Sequence, residues 1–194
     1  MRNHRYKRES LSVVLRAELR RLEIRSKFLQ SVRMTVVTLL VTAAAAVLTS
    51  VLFFPVLRIY GSSMSPSLSS GDIVIAVKNK KIARGDMVAF YYGNKVLIKR
   101  CIATAGEFVD IDPQGGVSID GEYIEEDHIS EKALGECDIE LPYQVPEKRY
   151  FVMGDHRSTS IDSRSSKLGC VSEEQIIGKI IFVIPRSLIG IKRA

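Results

Sequence analysis

The hydrophobic and polar positions divide the chain into three stretches with different periodicities. Residues 7–33 repeat leucines at helical spacing among basic residues, which predicts a basic amphipathic helix. Residues 34–54 contain no charged side chain. From residue 55 onward, short apolar runs alternate with turn-forming residues, which is typical of β-strands. The pattern therefore predicts a helical N-terminal part followed by a β-rich domain.

The uncharged stretch is long enough to cross a membrane. As a helix, its 21 residues reach about 31 Å, close to the thickness of the hydrocarbon core of a bilayer. A cleaved secretory signal is the competing interpretation, but a basic region of 33 residues is very long for a signal peptide. We therefore predict a retained single-pass transmembrane helix at 34–54. The Lys and Arg excess before it predicts that 1–33 is cytoplasmic and 55–194 lies on the outer face of the cell membrane.

The net charge of +6 would by itself suggest nucleic-acid binding. Residues 1–33 carry ten Lys or Arg against three Asp or Glu, a net of +7, whereas residues 34–194 have a net of −1. The basic residues therefore flank the apolar stretch, and no nucleic-acid partner is expected. The basic helix could lie on an anionic leaflet, continue into the span, or be a solvated charged arm.

The outer part is predicted to be a mainly β domain, a curved antiparallel sheet or partial barrel. A short helix with a capping box is predicted at 172–175. Residues 104–148 are predicted to form a small excursion or a minimal second subdomain. The predicted strands are 73–77, 87–92, 95–102, 108–111, 117–119, 150–153 and 176–184.

Residues 61–68 form a hydroxyl-rich turn just beyond the predicted span. Pro66 fixes its own φ and biases Ser65 away from helix, so the turn is stiff. A Ser on a stiff turn with outward-pointing N–H groups suits a nucleophile. The alternative is an ordinary Ser/Pro loop.

A Ser nucleophile needs a base. Lys99 lies in an apolar β-run, where burial would lower the pKa of its amine and allow it to accept a proton. The alternative is an exposed charge on an edge strand. A Ser/His/Asp triad would have to use His128 or His156, and the chain has no G-x-S-x-G elbow around Ser62 or Ser63.

Residues 154–164 pack acids, arginines and hydroxyls behind an apolar strand. They could form a surface turn. They could also form a buried brace, in which Asp162 pairs with Arg164 and Ser160 orients an amine. The three cysteines, Cys101, Cys137 and Cys170, show neither disulfide-framework nor zinc spacing. They are predicted to be free, partly buried thiols, and one disulfide with a leftover thiol is the alternative.

Together these segments resemble type I signal peptidases, the membrane-bound Ser/Lys proteases that cut signal peptides from exported proteins. The resemblance covers the predicted span and essentially the whole outer domain. Four family boxes recur in order: Ser-Met-x-Pro at 63–66, Arg-Gly-Asp-hydrophobic at 84–88, Lys-Arg at 99–100, and Gly-Asp-Asn-Arg-x-x-Ser-x-Asp-Ser-Arg at 154–164.

The resemblance implies a role for each matched residue. Ser63 would be the nucleophile and Lys99 the general base, with Ser160 orienting the lysine and Asp162 and Arg164 as braces. It also implies cleavage after small residues, preproteins emerging from the secretion channel as substrates, a lipid bilayer as surroundings, and no metal or cofactor.

The chain departs from the family pattern in three places. Residues 103–107 read Ala-Thr-Ala-Gly-Glu where the family commonly has Gly-x-Pro-Gly-Asp, and His156 replaces an Asn. Gly61 stands where some members have a Ser that contributes to the oxyanion hole, so the second donor of that hole is not identified by the sequence.

Two other functions are compatible with parts of this pattern. A self-cleaving repressor-type Ser/Lys protease shares the Ser-Met-x-Pro and Lys elements, but it should have a DNA-binding head in place of a span. A non-enzymatic single-pass extracellular β domain would not require four sparse motifs in this order.

Overall fold

The computed structural model describes residues 2–78 and 81–189. It divides into two units, the first ending at Thr49 and the second beginning at Ser50. Helix α1, Arg2–Phe53, is continuous, so the predicted amphipathic and apolar segments belong to one helix. Its part Ile24–Phe53 is long and apolar enough to cross a membrane.

Helix α1 satisfies its own polar groups within the apolar stretch. The hydroxyls of Thr35, Thr38 and Thr49 donate to carbonyls one turn earlier, at 2.8–3.0 Å. This is the arrangement that lets a hydroxyl lie in an apolar environment. The side chains of residues 1–19, 22 and 23 lie outside the described part, so the predicted leucine stripe there stays a prediction.

The second unit is built on antiparallel sheets. Within the described residues, seven strands form one sheet in the order β1-β2-β11-β3-β4-β9-β10. Their bounds are β1 Val56–Arg58, β2 Ile73–Val77, β3 Met87–Tyr92, β4 Lys95–Ala103, β9 Arg149–Met153, β10 Val171–Ser172 and β11 Ile176–Ile184.

A smaller sheet lies inside the predicted excursion 104–148. In the described part of the chain it has the order β7-β6-β5-β8, with β5 Phe108–Ile111, β6 Val117–Ile119, β7 Glu122–Tyr123 and β8 Tyr143–Gln144. Residues 124–142 between β7 and β8 have no regular secondary structure, and we call them the strap.

The core follows the alternation of apolar residues along the strands. Val74 and Ala76 on β2 are fully buried, whereas their neighbours on the strand are only half-buried. Phe90 on β3 and Phe151 on β9 are also fully buried. This packing fixes the central strands β3, β4 and β9, which position the site described below.

The predicted fold class is confirmed: the chain has an apolar N-terminal helix and an open, mainly antiparallel β domain. The structure has every predicted strand, with β4 and β9 one residue longer than predicted. The sequence pattern missed the short strands β1, β7, β8 and β10 and the terminal helix α2, Arg186–Ile189. At 173–175 the predicted short helix is a 3₁₀ turn, and the side-chain carbonyl of Gln175 accepts from the N–H of Ser172 at 2.9 Å.

Candidate active site

The turn at 61–68 is anchored by its apolar residues and presents its hydroxyls. Met64 and Leu68 are buried, and the Leu68 N–H donates to the Met64 carbonyl at 2.8 Å, which closes a helical turn. Ser63, beside the buried Met64, is half-buried. The Ser65–Pro66 bond is cis. Ser63 is therefore held by its neighbour in the core while its own side chain stays accessible.

Lys99 is a buried amine, which is one of the two interpretations that the strand pattern allows. Its residue is 3% exposed, and its Nζ donates to Ser160 Oγ at 2.8 Å. Burial lowers the pKa of Lys99 from 10.5 to about 8, against the opposing effect of the Asp162 carboxylate, while the Arg164 guanidinium lowers it further. A substantial fraction of Lys99 is consequently neutral and able to accept a proton near pH 8.

Asp162 and Arg164 form the buried ion pair that the sequence suggested. Arg164 Nε and Nη2 donate to the two carboxylate oxygens at 2.8 and 2.9 Å. Burial alone would raise the pKa of Asp162, but hydrogen bonds from Arg164, Gly154 and Ser160 hold it below its usual range. Asp162 is therefore a charged brace that also contacts the hydroxyl partner of Lys99.

The turn at 61–68, which holds the predicted nucleophile and is called the nucleophile turn below, meets the loop 154–164, called the brace loop, at Gly154. Its N–H donates to Asp162 Oδ2 at 2.9 Å. A Cβ at this position would lie 2.5 Å from the carbonyl oxygen of Ser63 and would also collide with Ser160. The next turn closes the junction, because the His156 N–H donates to the Ser63 carbonyl at 3.1 Å. Only a glycine allows these backbones to approach so closely.

The structure does not join Ser63 directly to Lys99. Within the described residues, no hydrogen bond links Ser63 Oγ to Lys99 Nζ. The two residues are connected through Gly154 and Ser160, which both lie beside the nucleophile turn. In free enzymes the hydrogen bond between nucleophile and base is often long and tightens when substrate binds.

Arg100, adjacent to Lys99, points to the other face of β4, and each of its three guanidinium nitrogens donates a hydrogen bond. Its Nε and Nη2 donate to the Asp155 carboxylate at 2.9 and 2.6 Å, and Asp155 is buried. The same guanidinium donates to the Gly85 carbonyl at 2.8 Å and to Ser67 Oγ at 3.1 Å. Arg100 thus ties the nucleophile turn and the Arg-Gly-Asp turn to the brace loop.

A small groove opens beside Ser63. Its cavity volume is about 120 Å³, and apolar side chains from β1, β4 and the nucleophile turn provide much of its wall. It is lined by Leu57, Arg58, Ile59, Tyr60, Gly61, Ser63, Met64, Val96, Leu97 and Ile98. A groove of this size admits small side chains beside Ser63.

The histidines do not form a triad with Ser63. His128 Nε2 lies 3.7 Å from Glu126 and 3.8 Å from Asp155, and both carboxylates are already paired with arginines. Burial and the neighbouring Arg100 lower the pKa of His128. In the described part of the chain, neither imidazole is hydrogen-bonded to Ser63.

Gly61 adopts a left-handed conformation with φ of +93°, and a Cβ there would have no heavy atom within 4 Å. The position therefore has space for a side chain, but its backbone disfavours any residue other than glycine.

Across the described residues, no cluster of three or more His, Cys, Asp or Glu could hold a metal ion.

The sequence pattern missed three contributors to the site. It gave no role to Gly154 and did not pair Arg100 with Asp155. It also did not identify Arg157, which is completely buried and bound to Glu126 of the strap. The family boxes contain Gly154, Arg100, Asp155 and Arg157, so the boxes marked them as candidates, but Glu126 lies outside every box.

The chain is similar to known signal peptidases. A family model described as "Signal peptidase, peptidase S26" matches residues 31–185. Signal peptidase I of Bacillus amyloliquefaciens is 33% identical over 75% of this chain and 80% of its own length. Signal peptidase I T of Bacillus subtilis (strain 168) is 34% identical over 68% of this chain and 74% of its own length. A crystal structure of a signal peptidase I from Enterococcus faecalis V583 is 28% identical, with a TM-score of 0.44, covering 53% of this chain and 98% of that one.

Proposed function

The chain belongs to the signal peptidase family, peptidase S26, and from that membership we propose that Ser63 is its nucleophile and Lys99 its general base. As a signal peptidase, it is a membrane-bound serine endopeptidase that cleaves signal peptides from exported preproteins. Membership of this family also excludes a non-enzymatic outer domain. The proposal concerns which residues of this chain perform the reaction.

The observation that carries the proposal is the state of Lys99. It is a buried amine whose pKa is lowered to about 8 by burial, and among the described residues the one group to which it donates is the Ser160 hydroxyl, at 2.8 Å. A lysine held in this way can exist as a neutral base near physiological pH, which an exposed lysine cannot. In the proposed dyad, Ser160 accepts a hydrogen bond from the amine and the Nζ lone pair accepts the proton of Ser63.

In the first half of the reaction, neutral Lys99 removes the proton from Ser63 Oγ. The oxygen attacks the scissile carbonyl, and a C–O bond forms as the carbonyl electrons move to oxygen. Collapse of this tetrahedral intermediate breaks the C–N bond, and the Lys99 ammonium returns its proton to the leaving amine. In the second half, Lys99 activates a water molecule that hydrolyses the acyl-enzyme and restores Ser63.

The backbone N–H of Ser63 is the proposed first donor of the oxyanion hole. Among the described residues it donates to no other backbone group, so it can be directed at a substrate oxygen. Gly61 has no side chain to offer as a second donor. One fixed donor supplies a large share of transition-state stabilisation in such sites, on the order of 3 kcal/mol.

The substrate is proposed to lie along the groove beside Ser63. The walls include Leu57, Ile59 and Ile98, and the volume of about 120 Å³ favours small residues before the cleaved bond. An extended preprotein segment could add to a neighbouring strand edge by main-chain hydrogen bonds. Signal-peptide-bearing preproteins are thus the proposed substrates, and specificity would come from the shallow apolar walls.

The protein is membrane-anchored, since its family is of membrane peptidases and its N-terminal helix has a stretch of suitable length. We propose a single pass at 34–54, with 1–33 in the cytoplasm and the peptidase domain at 55–194 outside. The charge of +7 before the span supports this orientation.

Cleavage of a preprotein by the purified full chain in detergent tests the residue assignments. Ser63→Ala and Lys99→Ala should each lower kcat/KM by at least about 10³-fold while circular dichroism stays unchanged. Ser62→Ala is the matched control, since Ser62 is exposed on the same turn, and it should retain activity. Full activity in either of the first two variants would refute the dyad.

A further inference from the structure

A buried ion pair connects the strap to the brace loop. Arg157 Nη1 donates to Glu126 Oε2 at 2.8 Å, and its Nη2 donates to the other carboxylate oxygen. Arg157 has no exposed surface and Glu126 is 7% exposed. Two charges that far from water persist only when they are paired with good geometry. The strap therefore carries the counter-charge of a residue in the brace loop.

The same arginine also holds the backbone of Gly154. Its Nε donates to the Gly154 carbonyl at 3.1 Å. The N–H of Gly154 binds Asp162, and Asp162 in turn contacts Ser160, the hydroxyl partner of Lys99. A displacement of Gly154 would consequently move the hydroxyl that orients the base.

Gly154 also borders the nucleophile. The Ser63 carbonyl lies 2.5 Å from where a Cβ on Gly154 would be, so the two backbones are in contact. The Gly154 peptide is thus packed between the nucleophile turn and Ser160. Arg157 donates to the Gly154 carbonyl and Asp162 accepts from the Gly154 N–H, so the peptide groups on both sides of Gly154 are held.

We propose that Glu126 and Arg157 are positioning residues for the peptidase reaction: together they clamp Gly154 so that Ser160 and the Ser63 backbone keep their places around Lys99. This inference rests on the proposed function of Ser63 and Lys99. It assigns to the strap a role in catalysis through Glu126.

The clamp should affect the rate of reaction more than substrate binding. The groove beside Ser63 is lined by residues between 57 and 98, and neither the strap nor the loop 154–164 contributes to it. Misplacement of a catalytic group by about 1 Å can cost about 100-fold in rate. Loss of the clamp should therefore lower kcat and leave KM nearly unchanged, whereas a damaged groove would raise KM.

Stability and positioning can be separated by removing both charges together. A single variant such as Arg157→Met leaves the Glu126 carboxylate buried and unpaired, which destabilises the fold by itself. Replacement of a buried ion pair by apolar residues of similar volume is often neutral for stability. The double variant Glu126→Met with Arg157→Met thus keeps the fold and loses the bond to the Gly154 carbonyl.

The experiment compares the full chain, the double variant and a control in preprotein cleavage, with thermal unfolding measured in parallel. Glu131→Gln is the control, because Glu131 joins the same strap to the same loop through an exposed bond from Ser158 Oγ at 2.9 Å. We expect the double variant to unfold near the wild-type temperature, with kcat lower by about 10- to 100-fold and KM within about twofold. Glu131→Gln should match wild type in all three.

Wild-type kcat in a folded double variant would overturn the clamp. If the double variant does not fold, Glu126→Asp is the replacement test, because it keeps the charge but shortens the side chain by one methylene. It should lower kcat severalfold at constant KM. An unchanged kcat in Glu126→Asp would again overturn the clamp. Ser63→Ala and Lys99→Ala belong in the same assay. If they remain active, the proposed dyad fails, whereas if they are inactive and the double variant is fully active, only the clamp fails.

Discussion

The two faces of β4 each bury a basic side chain, but the surroundings of the two side chains differ. Lys99 faces a buried environment in which its Nζ is hydrogen-bonded to a neutral hydroxyl, Ser160, and its pKa is lowered to about 8. Arg100, one residue later, is bound through two nitrogens to the buried Asp155 carboxylate. Burial without a bonded counter-charge makes an amine reactive, whereas burial with one makes a guanidinium a structural link.

This difference suits the two residue types. The pKa of an amine can be shifted into the physiological range, but a guanidinium stays protonated in proteins and offers a planar fork that matches a carboxylate. Arg100 also reaches Ser67 and Gly85 with its remaining donors. Substitution of Lys99 should therefore impair catalysis, whereas substitution of Arg100 should destabilise the fold.

The largest expected effect is that of Lys99→Arg on activity. The guanidinium keeps the positive charge but cannot be deprotonated, so kcat/KM for preprotein cleavage should fall by at least about 10³-fold. Arg100→Lys keeps a cation on the other face and should lose no more than about tenfold. Appreciable cleavage by Lys99→Arg would mean that the residue acts through its charge and not as a base.

The next effect is on stability. Arg100→Ala leaves the Asp155 carboxylate buried without its partner, and the free energy of unfolding should fall by about 3–5 kcal/mol. Chemical denaturation of the detergent-solubilised chain measures this quantity.

Lys99→Met is the contrasting variant on the other face. The folded pKa of about 8 lies below the usual 10.5, so the protonated amine destabilises the fold, fully so below pH 8. At pH 7 this destabilisation amounts to about 3 kcal/mol of the free energy of unfolding. Lys99→Met removes the amine and should raise the free energy of unfolding by a part of this amount. A loss of stability in Lys99→Met comparable with that of Arg100→Ala would contradict the comparison.

The pH dependence of cleavage should follow Lys99. Because the neutral amine is the active form and its pKa is about 8, kcat/KM should fall about tenfold for each pH unit below 8 and level off above it. Circular dichroism at each pH controls for unfolding. A flat profile between pH 6 and pH 8 would exclude Lys99 as the base.

The sequence pattern predicted the long strands because each buries alternate or continuous apolar residues. It could not predict β7 or β8, since two-residue strands carry no periodicity and depend on the strand beside them. The pattern identifies Lys99 because a cation is out of place in an apolar run. It does not identify the partner of Arg157, since Glu126 lies 31 residues away and the sequence contains many other acidic residues that could form the same ion pair.

The smallest expected effect concerns Arg84, a second arginine beside β4. Arg84 pairs with Glu107 at 2.6 Å, the same distance as between Arg100 and Asp155. The Arg84 and Glu107 side chains are 40% and 25% exposed, however, whereas those of Arg100 and Asp155 are 12% and 0% exposed. Water already solvates the exposed pair, so Arg84→Ala should lower the free energy of unfolding by less than about 1 kcal/mol.

Salt distinguishes the two arginines further. Added salt should shrink the loss in Arg84→Ala, because exposed charges are screened, and should leave the loss in Arg100→Ala nearly unchanged. Denaturation of both variants at low and high ionic strength makes the comparison. Equal losses of unfolding free energy in Arg84→Ala and Arg100→Ala would mean that the distance between the paired atoms, and not their burial, determines how much an arginine beside β4 stabilises the fold.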